Sequence, residues 1–430
     1  MRRLIRRLTP FAALIVVLFA AFPPEVRAHG YLVRAIPDNR AVLERAPVRV
    51  QYWFSESLEP AFSSITIRDA AGGEIAAGGV DARDPRLLTT RLPIGLPDGV
   101  YSVDLRLAFA SDGHVIAERR AFFVGASGAF AGIEAQTSAV PLEIAWRALV
   151  LIGTTLLFGI YGTYALVFIP AWGNTAHPAG NLPPRVMRRV HRIAGLALGM
   201  ALVGNLIALM QQSMVYFDAD IGRVLSENLW SVVRTSTRFG DTWNARMALL
   251  ALIAALHAAA LSVRASQPPL VRAFLTANLW ALPPLILTWS VSAHAAGSPI
   301  LPWAALISDW LHGVGVGLWA GGVAALALIL PVALQPYVAD ERAAIMRAAL
   351  RRFSPLALAC VAVVIATGIY NATNWIAHPA DVALPYGVAL LLKLALIAPL
   401  LALGYVNKPN RDLLPPPSLQ VERGRLSVLD

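Results

Sequence analysis

The 430 residues are 57% hydrophobic and only 14% charged, with a mean hydropathy of +0.59; that excludes an ordinary soluble protein and puts most of the chain in lipid. The net charge of +10 does not indicate a nucleic-acid partner, because the arginines gather in short segments between apolar runs, as the positive-inside bias predicts. One cysteine, Cys360, excludes a disulfide framework and a thiolate cluster, so any metal site must use His, Asp, Glu or Met.

Met1 to Arg7 carries four arginines, Phe11 to Phe22 is apolar, and Pro23-Pro24 precedes the small-residue site Val26-Arg27-Ala28. This is the pattern of a signal peptide over residues 1–28. A retained anchor helix is the other reading, but the run is short for a span and breaks at proline. Cleavage after Ala28 makes His29 the first residue, whose α-amine and imidazole can chelate one metal together. Nitrogen donors in a tetragonal set favour Cu(II).

From His29 to Gly125 the composition is mixed and punctuated by Pro-Asp-Asn, Asp-Ala-Ala-Gly-Gly and Pro-Asp-Gly turns, which predicts short strands and an antiparallel sandwich. Alternation marks Val48, Val50, Tyr52 and Phe54, and then Tyr101, Val103, Leu105 and Leu107, as core. Ser111-Asp112-Gly113-His114 follows, a turn with a carboxylate and an imidazole two residues apart; Asp-Gly is also simply a common turn.

His29-Gly30-Tyr31-Leu32, Trp53-Phe54-Ser55-Glu56 and Ser111-Asp112-Gly113-His114 together resemble the CopC family of periplasmic copper proteins, over the whole secreted segment. The resemblance implies an all-β Greek-key sandwich over residues 29–125 with His29, Asp112 and His114 as Cu(II) ligands. It also implies that Glu56 orients them from beside the site. No methionine occurs between Met1 and Met187, so the Cu(I) loop of some family members is absent and one Cu(II) is expected.

Residues 126–141 read as a linker, and residues 142–408 as an all-α membrane bundle. Seven spans are expected, at about 143–171, 190–213, 245–264, 273–294, 303–333, 353–376 and 385–406. Arg185 to Arg192, Arg264 with Arg272, and Arg342 to Arg352 fall in alternate loops, which places those loops and the tail 409–430 in the cytoplasm. The outer loop Phe217 to Asn244 balances its arginines with acids, and Trp230, Val232 and Val233 suggest an interfacial helix.

Ionisable groups within spans default to functional candidates. His294 ends the fourth span; Asp309 and His312 share a face of the fifth, about 9 and 14 Å below its entry at 1.5 Å per residue. Packing is the competing role for this pair. Met210 and Met214 share a face near the outer end of the second span, either as Cu(I) thioether ligands or as core filler. His191 reads as interfacial and His257 as deeper. By these limits no helix pair carries two histidines at matched depth. Glycines 313, 315, 317, 321 and 322 predict close helix approach.

Ser308-Asp309-Trp310-Leu311-His312 with Trp319, Gly321 and Gly322, and Tyr386-Gly387 through Leu391 to Leu394 and on to Leu403, Gly404 and Asn407, resemble the CopD membrane family over about residues 141–410. The resemblance implies copper uptake across the bacterial inner membrane, with Cu(II) bound outside and Cu(I) in the membrane path. No Walker motif and no catalytic constellation appear, so an enzyme is not expected. A periplasmic copper donor or redox partner would complete the system. Two other readings stand: a haem-bearing oxidoreductase that reduces copper, and a membrane-anchored copper sensor or store.

Overall fold

The computed structural model describes residues 32–111, 113, 115–125, 141–172, 182–292 and 301–373, with scattered positions between 387 and 397. Residues 27–377 form one compact unit.

Eight strands open it: β1 (Leu32–Ile36), β2 (Ala41–Leu43), β3 (Arg49–Phe54), β4 (Ser64–Arg68), β5 (Glu74–Val80), β6 (Leu87–Arg91), β7 (Gly99–Ala108) and β8 (Val115–Val124). They form one sheet in the order β1-β3-β6-β5-β4-β7-β8-β2. All neighbours pair antiparallel except β2, which runs parallel to β8 from Ala41 opposite Phe122 to Leu43 opposite Val124. The period-two pattern places Val50, Tyr52, Phe54, Tyr101, Val103, Leu105 and Leu107 in the core.

Val48 is a correction. It precedes β3 and is 75% exposed; its carbonyl accepts a hydrogen bond from Leu92, so its backbone pairs while its side chain faces solvent.

Six helices among the described residues are long and apolar enough to cross a membrane. They are α1 (Pro141–Thr163, continued by a π-helical turn at Tyr164–Phe168 and a last turn at Ile169–Trp172), α2 (Pro184–Phe217), α5 (Arg238–Ser262), α6 (Pro268–Val291), α7 (Pro302–Leu334) and α8 (Ala339–Thr373). Two short helices, α3 (Ile221–Ser226) and α4 (Leu229–Ser236), fill the expected outer loop. The span expected at 385–406 lies almost wholly outside the described residues.

Each helix end has a local cause. Prolines begin α2, α6 and α7, where a missing N–H costs nothing. Asp218 ends α2 in the left-handed region, and Thr237 caps α5 by accepting from Gly240 N at 3.0 Å. Gly159 and Gly321 bring α1 and α7 together: a Cβ on either would overlap the other helix's backbone.

The helix that carries the expected sixth span, α8, begins at Ala339, so Arg342 to Arg352 lie within a helix rather than in a loop. Asp340 and Glu341 in the first turn complement the helix dipole.

Candidate functional site

The segment Ser55–Glu59, just after β3, runs beside the end of β7. Ala110 N donates to Ser57 O at 2.9 Å, Glu59 N donates to Ala108 O at 2.8 Å, and Leu58 bridges Phe109. This pairing carries Glu56 to Ser111, whose hydroxyl donates to the Glu56 carboxylate. Glu56 is 7% exposed, so its carboxylate is fixed rather than solvated.

β1 begins at the same place, with Leu32 opposite Phe54. The start of β1, the Glu56 segment and the turn that closes β7 thus lie at one end of the sheet. His29, Asp112 and His114 themselves lie outside the described residues, and no cluster of three or more His, Cys, Asp or Glu occurs among the described ones. What the described frame supplies is one buried carboxylate beside a turn held by a glycine.

That turn rests on the helical bundle. Gly113 has φ +74°, its N–H donates to Phe109 O at 2.8 Å, and its carbonyl accepts from Gln212 Nε2 near the end of α2. Arg106 Nη2 donates to Tyr216 O at 2.8 Å and Val215 O at 3.3 Å. Phe62 stacks on Tyr216 with ring centroids 4.5 Å apart. Buried Glu59 accepts from Arg238 N, the first residue of α5, at 2.8 Å. Burial raises the Glu59 carboxyl above its usual range, partly offset by the Arg238 N–H and charge.

Within the bundle, Met210 is half-buried and packs into the apolar cluster of Trp146, Leu209 and Trp243; Met214, also half-buried, lies one turn nearer the sheet. His312 and Asp309 are half-buried in α7. His312 Nδ1 lies 3.0 Å from Thr367 Oγ1 of α8, and Ser308 Oγ donates to Thr367 O at 3.3 Å. Asp309 has no side-chain hydrogen bond or ion pair among the described residues. His294 lies outside the described residues.

Family comparison divides the chain in the same way as the fold. Residues 32–125 match the CopC domain, residues 137–299 the copper resistance protein D-like N-terminal domain, and residues 347–419 copper resistance protein D. In domain content the chain is a fusion of CopC and CopD. It is 27% identical over 416 residues to copper transport protein CutJ of Bacillus subtilis (strain 168), covering 92% of this chain and 70% of that protein. Among solved structures, CopC of Methylosinus trichosporium OB3b is 35% identical, covers 22% of this chain and 93% of its own, and has a TM-score of 0.21. PcoC of Escherichia coli, described as a methionine-rich copper resistance protein, is 29% identical, with 23% and 99% coverage and a TM-score of 0.20.

The CopD portion holds two clusters that sequence reasoning missed. Arg246 of α5 is 2% exposed and lies 3.4 Å from the Trp289 ring centroid. It donates to Thr288 Oγ1 at 3.2 Å and to Ser292 Oγ and Thr288 O at 3.3 Å, so hydroxyls, a carbonyl and an aromatic face replace the absent carboxylate. His191, expected at the interface, is buried and meets His257 with ring centroids 5.0 Å apart. The signal was recoverable. Because α2 begins at Pro184 rather than near 190, His191 sits well inside its helix, level with His257 near the opposite end of α5.

Proposed function

We propose that the chain captures cupric copper outside the cytoplasmic membrane at its CopC domain and passes copper inward through its CopD bundle, in copper homeostasis or resistance. The ligands are His29, by α-amine and imidazole after signal removal at Ala28, together with Asp112 and His114. Glu56 orients the closing turn through Ser111. One observation supports this reading: Gly113, in the turn between β7 and β8, accepts a hydrogen bond from Gln212 of α2, which ties that turn to the helical bundle.

The chemistry follows from the donors. Two imidazoles, an amine and a carboxylate form the nitrogen-rich, tetragonal set that Cu(II) favours over other divalent ions. From there the route inward passes Met214 and Met210 on α2, with His294, Asp309 and His312 as polar stations on the neighbouring helices. Methionine thioethers suit Cu(I), so the ion enters the bundle as the monovalent form after a separate redox partner outside the membrane gives one electron to the captured Cu(II). A seventh span at 385–406 returns the chain to the inner side and leaves the tail 409–430 cytoplasmic, in keeping with the basic loops.

The experiment is an insertion of one alanine between Ala28 and His29. It separates the amine from the imidazole while leaving both present. Cu(II) affinity of the purified chain, read by competition with a chelator, should fall more than tenfold, about 1.4 kcal/mol. Unchanged affinity in a protein whose mature end has been sequenced would remove the chelate and the assignment with it.

A further inference from the structure

The end of the bundle away from the sheet holds a histidine pair that the route above does not use. The C-terminal end of α2 and the N-terminal end of α5 both touch the sheet through Val215, Tyr216 and Arg238. His191, near the start of α2, and His257, near the end of α5, therefore lie together in the opposite, inner half. Their rings are 5.0 Å apart between centroids and inclined at 71°. They are 8% and 6% exposed, and Val190, Ala194, Ile253 and Ala260 surround them in the apolar core.

Neither ring nitrogen of His191 has a hydrogen-bond partner among the described residues. Leaving such a group buried and unsatisfied is costly, and a packed apolar core gives no return for it. His257 is held differently: its Nδ1 lies 2.9 Å from the Tyr161 hydroxyl. With the Nδ1 proton given to the Tyr161 oxygen, Nε2 keeps its lone pair, which is how outer partners orient metal-binding histidines. Tyr161 itself comes just before the π-helical turn of α1, an irregularity common at functional sites.

We propose that His191 and His257 bind a monovalent copper ion in the inner half of the bundle, with Tyr161 as a positioning residue for His257. This rests on the copper-transport reading and adds to it a site near the cytoplasmic end. Two imidazoles without an adjacent carboxylate or thiolate do not complete the four-ligand shell of zinc or the oxygen cage of calcium and magnesium. A monovalent d10 ion accepts two or three nitrogens and costs less to bring out of water than a divalent one. Imidazole bonds of about 2 Å place two opposed rings roughly 6 Å apart between centroids. A turn of the unanchored His191 ring supplies the remaining distance.

The test uses the purified full-length chain, titrated anaerobically with Cu(I) against a chromophoric chelator. His191→Asn and His257→Gln keep polarity and much of the volume, and each should lose one bound equivalent while Cu(II) binding outside stays intact. Tyr161→Phe should retain the equivalent with affinity lowered about tenfold or more. An unchanged Cu(I) stoichiometry in both histidine variants would overturn the site. So would a Soret band in the untreated protein that either substitution abolishes, since the pair would then hold haem. Vesicles that accumulate no copper while the equivalent persists would defeat the transport reading and leave this site standing.

Discussion

Gly113 joins the β7–β8 turn to the helical bundle. Its φ of +74° belongs to the left-handed region, and a Cβ there would come within 2.8 Å of Gln212 Nε2 and 3.0 Å of the Tyr216 hydroxyl. Gly113→Ala therefore adds about 1–2 kcal/mol of backbone strain and pushes the turn off α2. Thermal unfolding of the full-length chain should shift to lower temperature, and limited proteolysis should cut the β7–β8 turn faster; an unaltered proteolysis pattern would show that the turn does not depend on this contact. The turn itself was legible, because Asp-Gly between two strand patterns has local causes. Its partner was not: Gln212 is 99 residues away, and no local pattern encodes a contact over that separation. The same holds for His191 and His257, whose pairing depends on where α2 begins.

At the scale of elements, α5 meets the sheet through its first turn, where Glu59 accepts from Arg238 N. A carboxylate at a helix N-terminus is favourable, yet burial raises this carboxyl above its usual range. A group whose value is raised on docking contributes stability that is complete below the ordinary carboxylate value, 4.5, and is lost as pH rises through the raised one. Docking of the sheet on α5 should thus loosen as pH rises above the ordinary carboxylate value, 4.5, and Glu59→Gln, which keeps an acceptor for Arg238 N, should abolish that trend. Distances between spin labels at exposed Arg83 and Leu225 would report it; a wild-type distribution that does not change with pH would refute it. Elements with a strong period were legible, such as β7, where Tyr101, Val103, Leu105 and Leu107 are all buried, and the six long apolar helices. The parallel pairing of β2 with β8 was not, since a three-residue strand has no readable period. The start of α8 was missed because the basic run Arg342 to Arg352, which reads as a loop, lies within a continuous helix.

For the whole molecule, the CopC sheet is not a domain hung on a loose tether. It touches α2 through Arg106, Phe62 and Gly113 and α5 through Glu59. Sequence could assign the two halves to copper families but could not dock them, because docking depends on single polar contacts between distant residues. In the proposed reading the ion would pass from capture at the sheet end, by the methionines of α2, to the histidine pair at the opposite end of the bundle. Copper uptake into vesicles carrying the purified chain with its sheet outward tests this most directly. Vesicles should accumulate luminal copper above protein-free controls, and Asp112→Asn with His114→Ala should lower that accumulation at limiting external copper. Accumulation equal to the protein-free control, or undiminished by the double substitution, would contradict the account.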